Sequence, residues 1–106
     1  MSTRTPETDI EHLAVALNGE AALIDVREAG EYAAGHIPGA ALMPMGRLTA
    51  RMGELDKACP VYVVCASGNR SAAMTDLLVA NGFDAYSVAG GTRAWAASGR
   101  ALGVGL

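Results

Sequence analysis

A chain of 106 residues, 51% hydrophobic and 18% charged, holds enough apolar material for one packed core and is short for two. A formal net charge of −3 argues against a general nucleic-acid or anionic-membrane binder, and still permits a small anionic ligand held at a local positive site. The polar start, residues 1–6, and the absence of any apolar run approaching ~20 residues argue against a secretory leader or a membrane span, so a soluble cytoplasmic protein of one domain, 1–106, is expected.

Thr8 and Glu11 have the spacing of a capping box, and Ile10, Leu13, Ala14 and Leu17 share one helical face that Asn18-Gly19 ends. His12 falls off that face and reads as solvated. Residues 21–27 form a buried strand ending in Asp25 and Arg27. Those two charges are candidates for orienting a neighbouring active loop, with Asp25 reaching Arg70, or else for an ordinary ion pair or cap. Residues 28–34 suit a short helix closed by Gly35. His36 stands beside a Pro38-Gly39 turn, where a structural hydrogen-bonding role is expected, and Ala41–Met43 suits a short strand. Leu48, Met52 and Leu55 mark another helical face, with Arg47 and Arg51 outward.

Val61–Val64 is a continuous apolar run, as in a strand buried on both faces of a parallel sheet. It delivers Cys65 to a loop, Ala66-Ser67-Gly68-Asn69, that ends at Arg70-Ser71. A helix is predicted to follow, with Met74, Leu77, Leu78 and Asn81 on one face and Asn81-Gly82 as its stop. Ala85–Val88 is the last strand. Gly90-Gly91 permits a tight turn or a close backbone approach to the loop, Thr92 is the expected N-cap of a helix through Ala97, and Trp95 reads as a core anchor. The glycine-rich tail, 99–106, reads as irregular. Strands alternating with helices imply an α/β fold, a central parallel sheet of four to five short strands with helices on both faces.

Cys65 therefore stands at a strand end, the edge where open α/β sheets bind ligands. The small loop residues let backbone N–H groups curl around the sulfur as an anion-binding nest, the helix start points its positive dipole end there, and Arg70 adds a full charge. Each favours thiolate over thiol, so a depressed pKa and a nucleophilic role are expected. Cys59 and Cys65 flank one strand, which puts their Cα atoms roughly 20 Å apart, beyond the reach of about 7 Å that a disulfide allows. Cys59 reads as structural or incidental. His12 and His36 are the only histidines, and no zinc-type spacing or nucleotide-binding glycine pattern occurs, so no metal or organic cofactor is expected.

Asp25-Val26-Arg27, Glu31, Gly35-His36-Ile37-Pro38-Gly39-Ala40, the Cys65 loop through Arg70-Ser71, and Gly90-Gly91 with Trp95 occur in an order and spacing that resembles the single-domain rhodaneses, or thiosulfate-type sulfurtransferases, over roughly residues 8 to 98. The resemblance implies a rhodanese-like fold and a double-displacement sulfur relay without metal, cofactor or dedicated base. Cys65 would take the outer sulfur of a small anionic donor (thiosulfate, polysulfide or a persulfide). Backbone N–H groups of 66–70 would cradle the resulting persulfide, Asp25, Arg27 and Ser71 would support the loop, and cyanide or a thiol, including a protein or glutathione thiol, would accept the sulfur. Four residues separate Cys65 from Arg70, where the related dual-specificity and arsenate-reducing phosphatases look like Cys-x5-Arg; the shorter ring favours a single sulfur over a tetrahedral oxyanion. The loop interior carries no lysine or arginine to grip a sulfonate, which disfavours thiosulfate as donor. Rival readings are a non-catalytic rhodanese-like binding module, a cysteine-dependent phosphatase or arsenate reductase, and an exposed redox switch at Cys65.

Overall fold

The structure, a computed structural model, describes residues 4–106; residues 1–3 lie outside it. Five strands, β1 (Glu7–Thr8), β2 (Ala22–Asp25), β3 (Ala41–Leu42), β4 (Val61–Val64) and β5 (Ala85–Val88), form one sheet in the order β1-β5-β4-β2-β3. Every pairing is parallel. The helices are α1 (Ile10–Ala16), α2 (Ala29–Ala34), α3 (Leu48–Arg51, between two 3-10 turns), α4 (Asn69–Ala80) and α5 (Gly91–Ala97).

The pleat sorts each strand's side chains into two cores. Ile24, Val61, Val63 and Ala85 point to one face, where Leu48 of α3 and Leu78 of α4 cover them. Leu23, Val64 and Val88 point to the other, against Leu13 of α1 and Trp95 of α5. Because β2 and β4 are apolar toward both layers, each of these buried side chains contributes ~1.5–3 kcal/mol of transfer free energy. The expected α/β architecture, with a parallel sheet between helices, is the one observed.

Sheet register then fixes where function can sit. Asp25 of β2 lies opposite Val64 of β4, and the N–H of Val26 bonds to the Val64 carbonyl at 3.0 Å, so the two strands end level. From those ends the chain departs toward opposite layers: α2 contributes Tyr32 to the core that holds Leu13, and α4 contributes Leu78 to the other. In open α/β sheets the carboxyl edge where such chains diverge is where ligands bind.

Several local expectations are corrected. Thr8 does not cap α1, because it is drawn into β1, where its carbonyl accepts the N–H of Ala89 at 2.8 Å. Asp9 caps instead, its carboxylate accepting the His12 N–H at 2.9 Å. Gly90 precedes α5, and Thr92 lies inside it. Arg51 is not merely solvated: it donates to the Leu42 carbonyl at 2.8 Å and pairs with Glu54. The tail has no helix or strand of its own, as expected, and is tied down at several points, among them the Gly105 N–H on the Ala33 carbonyl at 2.8 Å. Gly103 exchanges backbone hydrogen bonds with His36, and the Trp95 indole donates to the Ala101 carbonyl. His36 itself stacks on Tyr32 and contacts the Tyr32 carbonyl through Nδ1.

Candidate active site

Cys65 follows β4 directly, with its side chain in the layer under α4. The chain from Cys65 to Gly68 folds back over the sulfur. Gly68 has φ 116°, a left-handed conformation that L side chains resist. This turn aims backbone N–H groups inward: that of Gly68 donates to Sγ at 3.1 Å and that of Ser71 at 3.4 Å. Gly68 is also the residue that caps α4, yet it has no side chain to accept a first-turn N–H. The Cys65 sulfur fills that place. It is the capping acceptor of α4, the position where an oxygen of Ser or Asp ordinarily sits.

The far side of the loop is held by α5. Thr92 donates to the Cys65 carbonyl through its N–H at 2.9 Å and its hydroxyl at 3.0 Å, and the Arg93 N–H donates to the Ala66 carbonyl at 3.1 Å. Contact is close enough that a Cβ on Gly91 would stand 2.5 Å from the Cys65 carbonyl oxygen. The paired glycines thus serve close approach.

Electrostatics follow from these donors. Burial, with Cys65 only 1% exposed, pushes the thiol up; the Ser71 hydroxyl and the N–H groups of Ser71, Gly68 and Ser67 outweigh it and hold the pKa below the ordinary thiol value. The direction expected from the sequence is right. The leading agents are local dipoles rather than the Arg70 charge.

Arg70 lies in the first turn of α4 and is committed elsewhere. Its two terminal nitrogens meet the Glu31 carboxylate at 2.7 and 2.8 Å, a bidentate pair that holds Glu31 down to about 2 and raises Arg70. Of the two alternatives for Asp25, contact with Arg70 or an ordinary ion pair, the structure has the ion pair, with Arg27. Asp25 is fully buried and accepts the Arg27 backbone N–H at 3.0 Å and the Arg27 guanidinium at 2.8 Å. An aspartate two residues before a chain turn captures its own neighbour first. Arg27 also donates to the Gly35 carbonyl, bracing the start and end of α2.

Ser71 is buried, with Oγ 3.5 Å from the sulfur, 3.1 Å from the Gly68 carbonyl and 2.8 Å from Ser87 Oγ. Asn69, placed in the loop by its sequence, is the first residue of α4. Among the described residues no three His, Cys, Asp or Glu side chains converge as a metal site would require, and no helix is long and apolar enough to cross a membrane.

The family model for the rhodanese-like domain matches residues 9–98. This chain belongs to the rhodanese-like family. Among solved structures it is similar to a rhodanese-like domain protein from Staphylococcus aureus (35% identity, 95% of this chain and 99% of that one, TM-score 0.85). It also resembles a rhodanese-related protein from Thermoplasma volcanium (27% identity, 94% and 99% coverage, TM-score 0.88). A thiosulfate sulfurtransferase from Pseudomonas aeruginosa matches at 31% identity and TM-score 0.89 over 96% of this chain, which spans 21% of that larger chain.

In this rhodanese-like chain the structure brings Cys65 through Ser71 together with Glu31, Ser87 and Thr92, three residues without a site role in the sequence reading. Glu31 is 39 positions from Arg70, and the signal that finds it is its place in the first helix after β2, on the same sheet edge as the Cys65 loop. Ser87 is a polar residue inside an otherwise apolar strand, a mismatch that asks for a buried partner.

Proposed function

We propose that the chain is a sulfurtransferase that carries a sulfane sulfur on Cys65. The observation that carries this reading is the sulfur in the capping position of α4, ringed by N–H donors from Gly68 and Ser71. In the first half-reaction the Cys65 thiolate attacks the outer sulfur of the donor. A Cys65 S–S bond forms, the donor's own S–S bond breaks, and the leaving group (a thiolate from a persulfide, a shorter polysulfide from a polysulfide, sulfite from thiosulfate) departs with the electron pair. In the second, an acceptor thiolate or cyanide attacks the outer sulfur, and Cys65 leaves as thiolate. No net oxidation occurs, and the alternation gives ping-pong kinetics. The negative charge stays within reach of the same dipoles throughout, which is what a preformed nest contributes.

Donor class is suggested by Arg70. Its charge is compensated by Glu31, and the loop supplies no second cation, so a sulfonate dianion finds little to grip. A persulfide or polysulfide suits the site better than thiosulfate. The test is intact mass after incubation with glutathione persulfide or thiosulfate. Wild type and Cys59→Ala gain one sulfur, about 32 Da, removable by cyanide, and Cys65→Ala gains none. Thiosulfate loading that matches persulfide loading would overturn the donor preference; no adduct from either would overturn sulfur transfer itself and favour a binding module.

A further inference from the structure

The Ser71 hydroxyl has one proton and three polar neighbours, and its surroundings decide where that proton goes. With Cys65 as thiol, the S–H points at Ser71 Oγ and the Ser71 proton is free for the Gly68 carbonyl at 3.1 Å. With Cys65 as thiolate, the sulfur becomes an acceptor, and the Ser71 hydroxyl is the side-chain donor in contact with it. Turning that proton to the sulfur leaves the Ser71 oxygen in need of a donor. Ser87 stands there. It is fully buried on β5, its Oγ lies 2.8 Å from Ser71 Oγ, and among the described residues its hydroxyl has no other partner. A buried hydroxyl with one neighbour sends its proton to that neighbour.

We propose that Ser87 is a positioning residue for the nucleophile: by donating to Ser71 Oγ it commits the Ser71 hydroxyl to the Cys65 sulfur and so favours the thiolate. Two hydroxyl dipoles in series polarise one another, which strengthens the bond that reaches the charge. The device bridges β5 and α4, so a strand that contributes nothing to the loop sequence still tunes its chemistry. Charged groups nearby are Arg70 on α4 with Glu31 of α2, and Asp25 with Arg27 at the end of β2; none of them hydrogen-bonds to either hydroxyl. The catalytic importance of this device rests on the sulfurtransferase reading above. Its effect on the thiolate does not.

The experiment is an NMR titration of the cysteine 13Cβ signals, which needs no reagent to reach the buried sulfur and reads Cys59 alongside as an internal reference. Ser87→Ala raises the Cys65 midpoint by roughly half to one pH unit, the scale of one weakened hydrogen bond to the charged form. Ser87→Thr restores the midpoint, and in a Ser71→Ala background Ser87→Ala adds nothing, because its effect passes through Ser71. An unchanged midpoint in Ser87→Ala, or an equal rise without Ser71, overturns the proposal. Should the alanine variant fail to fold, Ser87→Thr against Ser87→Val, equal in shape with and without the hydroxyl, makes the same comparison. Sulfur loading of wild type by intact mass is read separately, so failure of the transfer reaction and failure of the Ser87 device are told apart.

Discussion

The chain's two cysteines sit at opposite ends of β4 and illustrate how little exposure alone decides thiol acidity. Cys65 is almost wholly buried, yet its pKa is lowered; Cys59 is less buried, yet its pKa is raised. Burial disfavours the thiolate at both. At Cys59 the remaining neighbours, Asp56 and Glu20, are negative and add to the penalty, and the thiol's polar contact is an acceptor, the Asp56 carboxylate 3.8 Å away. At Cys65 the neighbours are donors. A strand's carboxyl end faces a helix N-terminus in this fold and its amino end does not, so topology assigns the two sulfurs their fates before any side-chain charge is considered.

The comparison breaks most severely if the donors are displaced. Gly91→Ala puts a methyl against the Cys65 and Ala66 carbonyl groups at a residue with φ 57°. The strained backbone costs at least about 1–3 kcal/mol, measurable as a lower urea midpoint, and the Cys65 titration moves up toward ordinary thiol behaviour. A variant as stable as wild type would mean that α5 does not fix the loop. A smaller effect is expected at the other sulfur. Asp56→Asn removes a negative neighbour and lowers the Cys59 pKa, with burial still holding it up. Alkylation of Cys59 at pH 8.5, in a Cys65→Ala background, should accelerate by roughly two- to fivefold; no change would shift the blame to burial alone.

The smallest effect concerns the Arg70 charge at the end of the Cys65 loop. Both members of the Glu31–Arg70 pair are more than a third exposed, 38% and 34%, so solvent screens it and Glu31→Gln should cost only about 0.2–1 kcal/mol at pH 7. Its pH dependence has a definite sign. The folded-state pKa of Glu31 is about 2 against an ordinary 4.5, so the contribution is complete above 4.5 and fades as pH falls toward 2. The gap between wild type and variant in urea midpoint should narrow over that window. A gap that widens would show that Glu31 gains its stability from something other than ionisation.

The sequence reveals the parallel sheet, the strand-end cysteine and the nest because each is written locally. Val61–Val64 is apolar without interruption, and small residues follow Cys65 at a fixed interval before Arg70. Partnerships across the fold are another matter. Asp25 and Arg70 do approach the same sheet edge, but nothing in their spacing says that Arg27 folds back onto Asp25 while Glu31 claims Arg70. Thr8 has the correct interval for a cap and loses it to an edge strand that exists only because β5 is there to pair with it. Ser87 and Thr92 acquire their roles by juxtaposition with residues 16 and 27 positions away. Local chemistry was legible; long-range choice of partner was not.

The carbonyl of Cys65 is gripped by Thr92, which follows it by 27 residues. During synthesis, therefore, Cys65 emerges well before the segment that gives its loop a fixed shape. A nascent chain that has exposed β4 but not α5 carries a thiol without its full clamp, with chemistry closer to that of any unstructured cysteine. The lowered pKa of Cys65 is in this sense a property of the finished fold, completed only when the last helix closes over a loop made 27 residues earlier.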